Sequence, residues 1–84
     1  MKRIDKKDYN KSMGILIDLE DVITFSEGHI DGAINIPYDK LLTNYKDYLN
    51  KTNRYYLYCK KGFKSRKATA ILEYYGYDVT QVIS

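Results

Sequence analysis

Hydrophobic positions fall along this chain in short blocks separated by charged segments. GILIDL, Gly14 to Leu19, is an apolar run closed by an acid. Its length and branched residues predict a strand buried on both faces. EDVITFSEGHIDG then mixes acids and glycines with a small apolar group, Val22, Ile23 and Phe25, which predicts a single helical turn or an irregular loop. AINIP, Ala33 to Pro37, predicts a short strand stopped by its proline. Asp39 stands at an N-cap position before KLLTNYKDYLN, where Leu41, Leu42, Tyr45 and Leu49 recur at helical spacing and predict an amphipathic helix. YYLYC, Tyr55 to Cys59, predicts a further strand. In SRKATAILEYYG, Ser65 is a candidate N-cap, Ala68, Ile71, Leu72 and Tyr75 form the apolar stripe, and Gly76 is the stop. DVTQVIS, from Asp78, predicts a last strand.

Strands alternating with helices predict an α/β fold around a mainly parallel sheet. The pattern gives one domain over residues 1–84, without repeats, low-complexity stretches or a linker. In open sheets of this kind, chemistry gathers beyond the carboxyl ends of the strands. Two loops qualify: the one after GILIDL and the one opened by Cys59.

Composition narrows the function. A chain of 84 residues supports one small core, burying roughly 60–65% of its unfolded surface. With no apolar helical stripe left over, the expectation is a monomer. The net charge of +3 is mild, and only CKKGFKSRK is consistently basic, which argues against a nucleic-acid partner. The ten tyrosines read as core-edge residues. One cysteine and one histidine, His29, leave no disulfide and no ligand set for a metal site. No cofactor is expected. No apolar run approaches the length of a signal peptide or a membrane span, so the expected location is the cytoplasm, where a lone thiol stays reduced.

That thiol carries the functional signal. Cys59 ends a predicted strand, KKGFK follows, and a helix begins near Ser65. A strand-to-helix loop presents unpaired backbone N–H groups. The helix start adds partial positive charge, and Lys60, Lys61, Lys64 and Arg66 add full charges. Gly62 permits the tight curvature. These features favour a thiolate and would bind a small anion or the charge of a persulfide. The plainer reading, a small apolar residue at a strand end, explains neither the basic loop nor the helix start.

Cys59-Lys60-Lys61-Gly62-Phe63-Lys64-Ser65 resembles the active-site loop of rhodanese-like domains, usually C-x-x-G-x-R-S. Glu27 to Pro37, EGHIDGAINIP, resembles that family's E-G-H-I-x-G-A-x-N-I-P signature. Tyr75-Gly76-Tyr77-Asp78-Val79 is similar to its usual ending, and the resemblance spans essentially the whole chain. It implies a rhodanese-like fold, with helices on both faces of the sheet, and a sulfurtransferase. Cys59 would take a sulfane sulfur from a donor such as thiosulfate, become a persulfide, and pass the sulfur to cyanide or a thiol, a protein thiol included. The backbone from Lys60 through Lys61, Gly62, Phe63 and Lys64 to Ser65 would cradle the persulfide, with Lys61 and Lys64 attracting the donor. Within that resemblance His29 belongs to a turn, and Asp18 caps a loop at a strand end.

Two positions depart from the family pattern. Lys64 stands where arginine is usual, keeping the charge but losing the planar two-pronged grip. Glu20 stands where D-V-R has its arginine. A phosphatase would need a longer loop with arginine six positions after the cysteine, where this chain has Ser65. A regulatory binding module with an idle thiol and a persulfide relay to one dedicated protein partner are the remaining alternatives.

Overall fold

The computed structural model describes residues 1–84. Five strands form one sheet: β1 (Lys2–Asp5), β2 (Ile15–Asp18), β3 (Ile34–Asn35), β4 (Arg54–Tyr58) and β5 (Asp78–Ile83). Their order is β1-β5-β4-β2-β3, and every pairing is parallel. The helices are α1 (Val22–Glu27), α2 (Tyr38–Thr43), α3 (Tyr45–Tyr48) and α4 (Phe63–Tyr74), with a 3-10 turn at Lys6–Asp8. No helix is long and apolar enough to cross a membrane.

The central strands are buried on both sides, as their unbroken apolar runs require. Tyr55, Leu57 and Cys59 face one core with Ile17, Leu19 and Val79. Tyr56 and Tyr58 face a second, smaller cluster with Leu16 and Val82. The larger core is closed by Leu41 of α2, by Leu49 just beyond α3, and by Ala68 and Leu72 of α4. Each fully buried Leu contributes about 1.5–3 kcal/mol relative to an exposed one. The opposite face is covered by Ile4, Tyr9, Met13, Ile30 and Ala33, drawn from β1 and irregular segments. Helical cover is therefore concentrated on the first face, and α1 buries no residue.

Several boundaries differ from those the sequence predicts. β1 was hidden because KRID offers one apolar side chain, Ile4, and sits at the sheet edge. Its mates on β5 and an ion pair from Lys2 to Asp78 (2.5 Å) fix it instead. The segment after β2 is a capped helix: Asp21 accepts the Thr24 N–H at 2.8 Å. The helix expected from Asp39 onward starts at Tyr38, and Asp39 lies in its first turn rather than at the cap. It also breaks at Asn44, whose side-chain amide donates to the Lys40 carbonyl at 3.1 Å. Such local bonds compete with helix continuation. Ser65 does not cap α4. Gly62 does, at φ +87°, and Ser65 is the third helical residue. The buried stripe of α4 is accordingly Ser65, Ala68, Thr69 and Leu72, while Ile71 and Tyr75 lie exposed. Gly76 ends the helix with φ +95°.

Candidate active site

The parallel sheet brings the ends of β2 and β4 side by side, with Asp18 paired to Tyr58. Cys59 follows β4, its side chain turned toward the larger core and only 4% exposed. Gly62 takes the left-handed conformation that a residue with a Cβ adopts at a cost. The chain thereby enters α4 with the Ser65 N–H aimed back at the sulfur. The Ser65 N–H donates to Cys59 Sγ at 3.1 Å, and the thiol lies 3.3 Å from Ser65 Oγ, to which it donates. The first intrahelical bond comes one residue later, from the Arg66 N–H to the Gly62 carbonyl.

Gln81, on β5, secures this turn from below. Its side-chain amide donates to the Gly62 carbonyl at 3.1 Å and to Ser65 Oγ at 3.0 Å. Gln81 is itself 3% exposed, so the loop rests on a buried polar strut. The sequence carried a signal for it: Thr80 and Gln81 interrupt a strand whose other central positions are apolar, and a buried polar side chain needs a partner.

A cavity of about 360 Å³ opens above the sulfur, lined by Glu20, Thr24, Cys59, Lys60, Lys61, Phe63 and Lys64. Of the residues singled out from sequence, Cys59, Lys60, Lys61, Phe63 and Lys64 meet in this cavity. Gly62 and Ser65 shape the turn beneath it. Glu20 comes from the other loop and Thr24 from α1, which follows it. The Glu20 carboxylate accepts the Lys60 N–H at 2.8 Å and lies 3.6 Å from the Lys64 ammonium. Its carboxylate therefore reaches into the ring of lysines.

Asp18 lies beneath, 1% exposed, with Oδ1 accepting the Glu20 N–H at 2.9 Å. Burial raises its pKa above the usual carboxylate value, and the bond from Glu20 pulls the other way. His29 is held apart from the sulfur. Its ring stacks on Phe25 at 3.7 Å, Nδ1 is 2.8 Å from the Phe25 carbonyl, and it borders a separate cleft with Lys6, Gly28, Ile30, Tyr58 and Lys60. Cys59 has no histidine partner.

A family model for the rhodanese-like domain matches residues 1–84. This chain is a rhodanese-like domain. It is 30% identical over 83 aligned residues to a tRNA uridine(34) hydroxylase of Buchnera aphidicola subsp. Baizongia pistaciae, covering 88% of this chain and 27% of that one. The chain thus spans about a quarter of the length of that relative. Among solved structures, a rhodanese-like domain protein from Staphylococcus aureus superposes with a TM-score of 0.83 at 25% identity, covering all of this chain and 86% of that one. A Staphylococcus saprophyticus protein superposes with a TM-score of 0.88 at 25% identity, over all of this chain and 88% of that one.

In this rhodanese-like domain the resemblance read from the C-x-x-G loop extends to the whole fold. The two departures, Glu20 and Lys64, come together in space and form an ion pair. Nothing in the local sequence announces that contact, because the two residues sit on different loops.

Proposed function

We propose that this domain is a sulfurtransferase that carries a sulfane sulfur on Cys59 as a persulfide. The observation that supports it best is the sulfur itself: a lone, buried thiol at a strand end, facing a cavity and receiving a backbone N–H at 3.1 Å in a turn ringed by Lys60, Lys61 and Lys64. Those donors stabilise negative charge on sulfur both before and after it is loaded.

With thiosulfate as donor, the Cys59 thiolate attacks the outer sulfur. A new S–S bond forms at Cys59, the donor's S–S bond breaks, and sulfite leaves with the electron pair. Cyanide or a thiolate then attacks the outer sulfur of the persulfide. It departs as thiocyanate or as a new persulfide, and Cys59 thiolate is restored. No redox cofactor enters this balance. Lys61, which has no carboxylate partner, draws the anion in, while the loop amides hold the transferred sulfur.

A protein thiol as acceptor is favoured by the rim of the cavity. Phe63, the large apolar residue lining it, is 69% exposed. An exposed aromatic ring beside a small anion site suits a macromolecular face more than a free ion.

The test is intact mass after incubation with thiosulfate. A gain of roughly one sulfur, lost on adding cyanide and absent in Cys59→Ser, is the expected result. Turnover retained in Cys59→Ser, or a thiol that stays freely alkylated with every sulfane donor, rejects the carrier role.

A further inference from the structure

Glu20 is placed with unusual care for a residue in a loop. The Glu20 N–H is taken by Asp18 Oδ1 at 2.9 Å, and its carbonyl accepts from the Asn35 side chain at 2.8 Å. Asn35 also donates to the Asp18 carbonyl at 3.1 Å. Between them Leu19 is fully buried, with its N–H on the Tyr58 carbonyl (2.9 Å) and its carbonyl on the Tyr38 N–H (3.0 Å). The backbone from Asp18 to Glu20 is thus pinned from β3, from β4 and from the start of α2. The side chain it aims into the cavity is only 13% exposed, where a carboxylate is seldom found without partners. Its partners are the Lys60 N–H at 2.8 Å and the Lys64 ammonium at 3.6 Å. Both are donors that an incoming oxyanion would otherwise use.

We infer that Glu20 is a specificity-determining residue of the Cys59 site, occupying the loop's oxyanion position and turning the site away from dianionic donors toward persulfides of small organic thiols. The inference rests on the sulfur-carrier reading. A dianion such as thiosulfate must displace a tethered carboxylate or bind beside it, and like charges in a partly dry cavity repel strongly. A persulfide carries no second charged head and needs only the sulfur cradle at Ser65 and the space above it. In that reaction Cys59 thiolate attacks the terminal sulfur of R–S–SH. The donor's S–S bond breaks, R–S⁻ leaves with the pair, and the proton stays on the new Cys59 persulfide.

The deciding experiment uses the whole chain and Glu20→Gln, which keeps an acceptor for the Lys60 N–H but removes the charge. Glu20→Ala serves as a second variant. Sulfate is the inert dianion probe, titrated by amide chemical shifts at low ionic strength. Thiosulfate and 2-hydroxyethyl persulfide are the donors. Expected are tighter sulfate binding in Glu20→Gln and thiosulfate kcat/KM raised about tenfold. The thiosulfate gain should exceed any change in the persulfide kcat/KM by about fivefold or more. Unchanged or weaker sulfate binding, no sulfate binding in either protein, or equal changes with both donors overturns the role of Glu20. Sulfate binding that tightens while neither donor loads Cys59 overturns the carrier reading instead, and leaves Glu20 as the residue that excludes dianions.

Discussion

The loop after β4 and the loop after β2 face each other across Cys59, and they are made by different means. The first is a backbone construction: a glycine at φ +87°, a helix start, and an amide on the sulfur, all within residues 59–66. Its chemistry follows from local order, because each part lies within one turn of the next. The second is assembled by side chains from distant places. Asp18 and Asn35 hold the Glu20 backbone, and the Glu20 carboxylate closes on Lys60 N–H, forty positions away. One loop supplies positive charge, and the other inserts a negative one into it. A site of this kind selects through the loop that does not carry the reacting atom.

The largest expected effect comes from undermining the backbone loop. Gln81→Leu removes one donor from the Gly62 carbonyl, which keeps the Arg66 N–H, and one from Ser65 Oγ, which keeps the Cys59 thiol. The expected cost is about 1–3 kcal/mol of stability by urea unfolding. Sulfur transfer should also fall roughly tenfold as the Ser65 amide loses its fixed aim. Stability and rate both at wild-type values would show that the turn holds its shape without the strut.

A smaller effect separates the two loops by charge. Lys64→Ala raises the thiosulfate KM about two- to fivefold, since its ammonium is partly exposed and screened. Lys40→Ala, on α2, leaves KM unchanged. In a Glu20→Gln background the Lys64→Ala loss shrinks, because the carboxylate that Lys64 balances is gone. Strictly additive effects in the double variant would mean the two side chains act independently.

The smallest effect concerns the base of the second loop. Burial raises the Asp18 pKa in the folded chain above its unfolded value of about 3.9. Its charge therefore costs stability, and that cost grows as pH climbs from the unfolded value through the folded one, then levels off. Asp18→Asn, which still accepts the Glu20 N–H, should gain under about 1 kcal/mol at pH 7. Its advantage should vanish toward pH 3. A series of denaturation midpoints across that range checks the sign, and an advantage largest at low pH would contradict it.

What could be read from sequence divides along the same line. GILID and YYLYC announce buried strands because both of their faces are apolar, and the parallel order follows from the helices between them. The Cys59 loop was readable for the same local reason. β1 was not, since its place depends on Val82 and Gln81 at the far end of the chain. Ser65 looked like a cap because serines often are one. Instead its hydroxyl is tied up by Cys59 and Gln81 inside the protein. The contacts of Glu20 lie outside any local pattern, because an acid in a loop reads as solvated until its partners are known.

The pairing of Lys2 with Thr80 and of Ile4 with Val82 has a consequence for how the chain is made. Within this domain the first strand in the chain has no neighbour except the last one. Until β5 emerges, β1 and the edge of β4 it will help cover stay open, and the sheet cannot close in the order of synthesis. Contacts of such long sequence separation slow folding and lengthen the time an unpaired edge is available to other chains. Nascent chains of this domain should therefore acquire their protease resistance abruptly, once β5 has cleared the exit tunnel, rather than strand by strand.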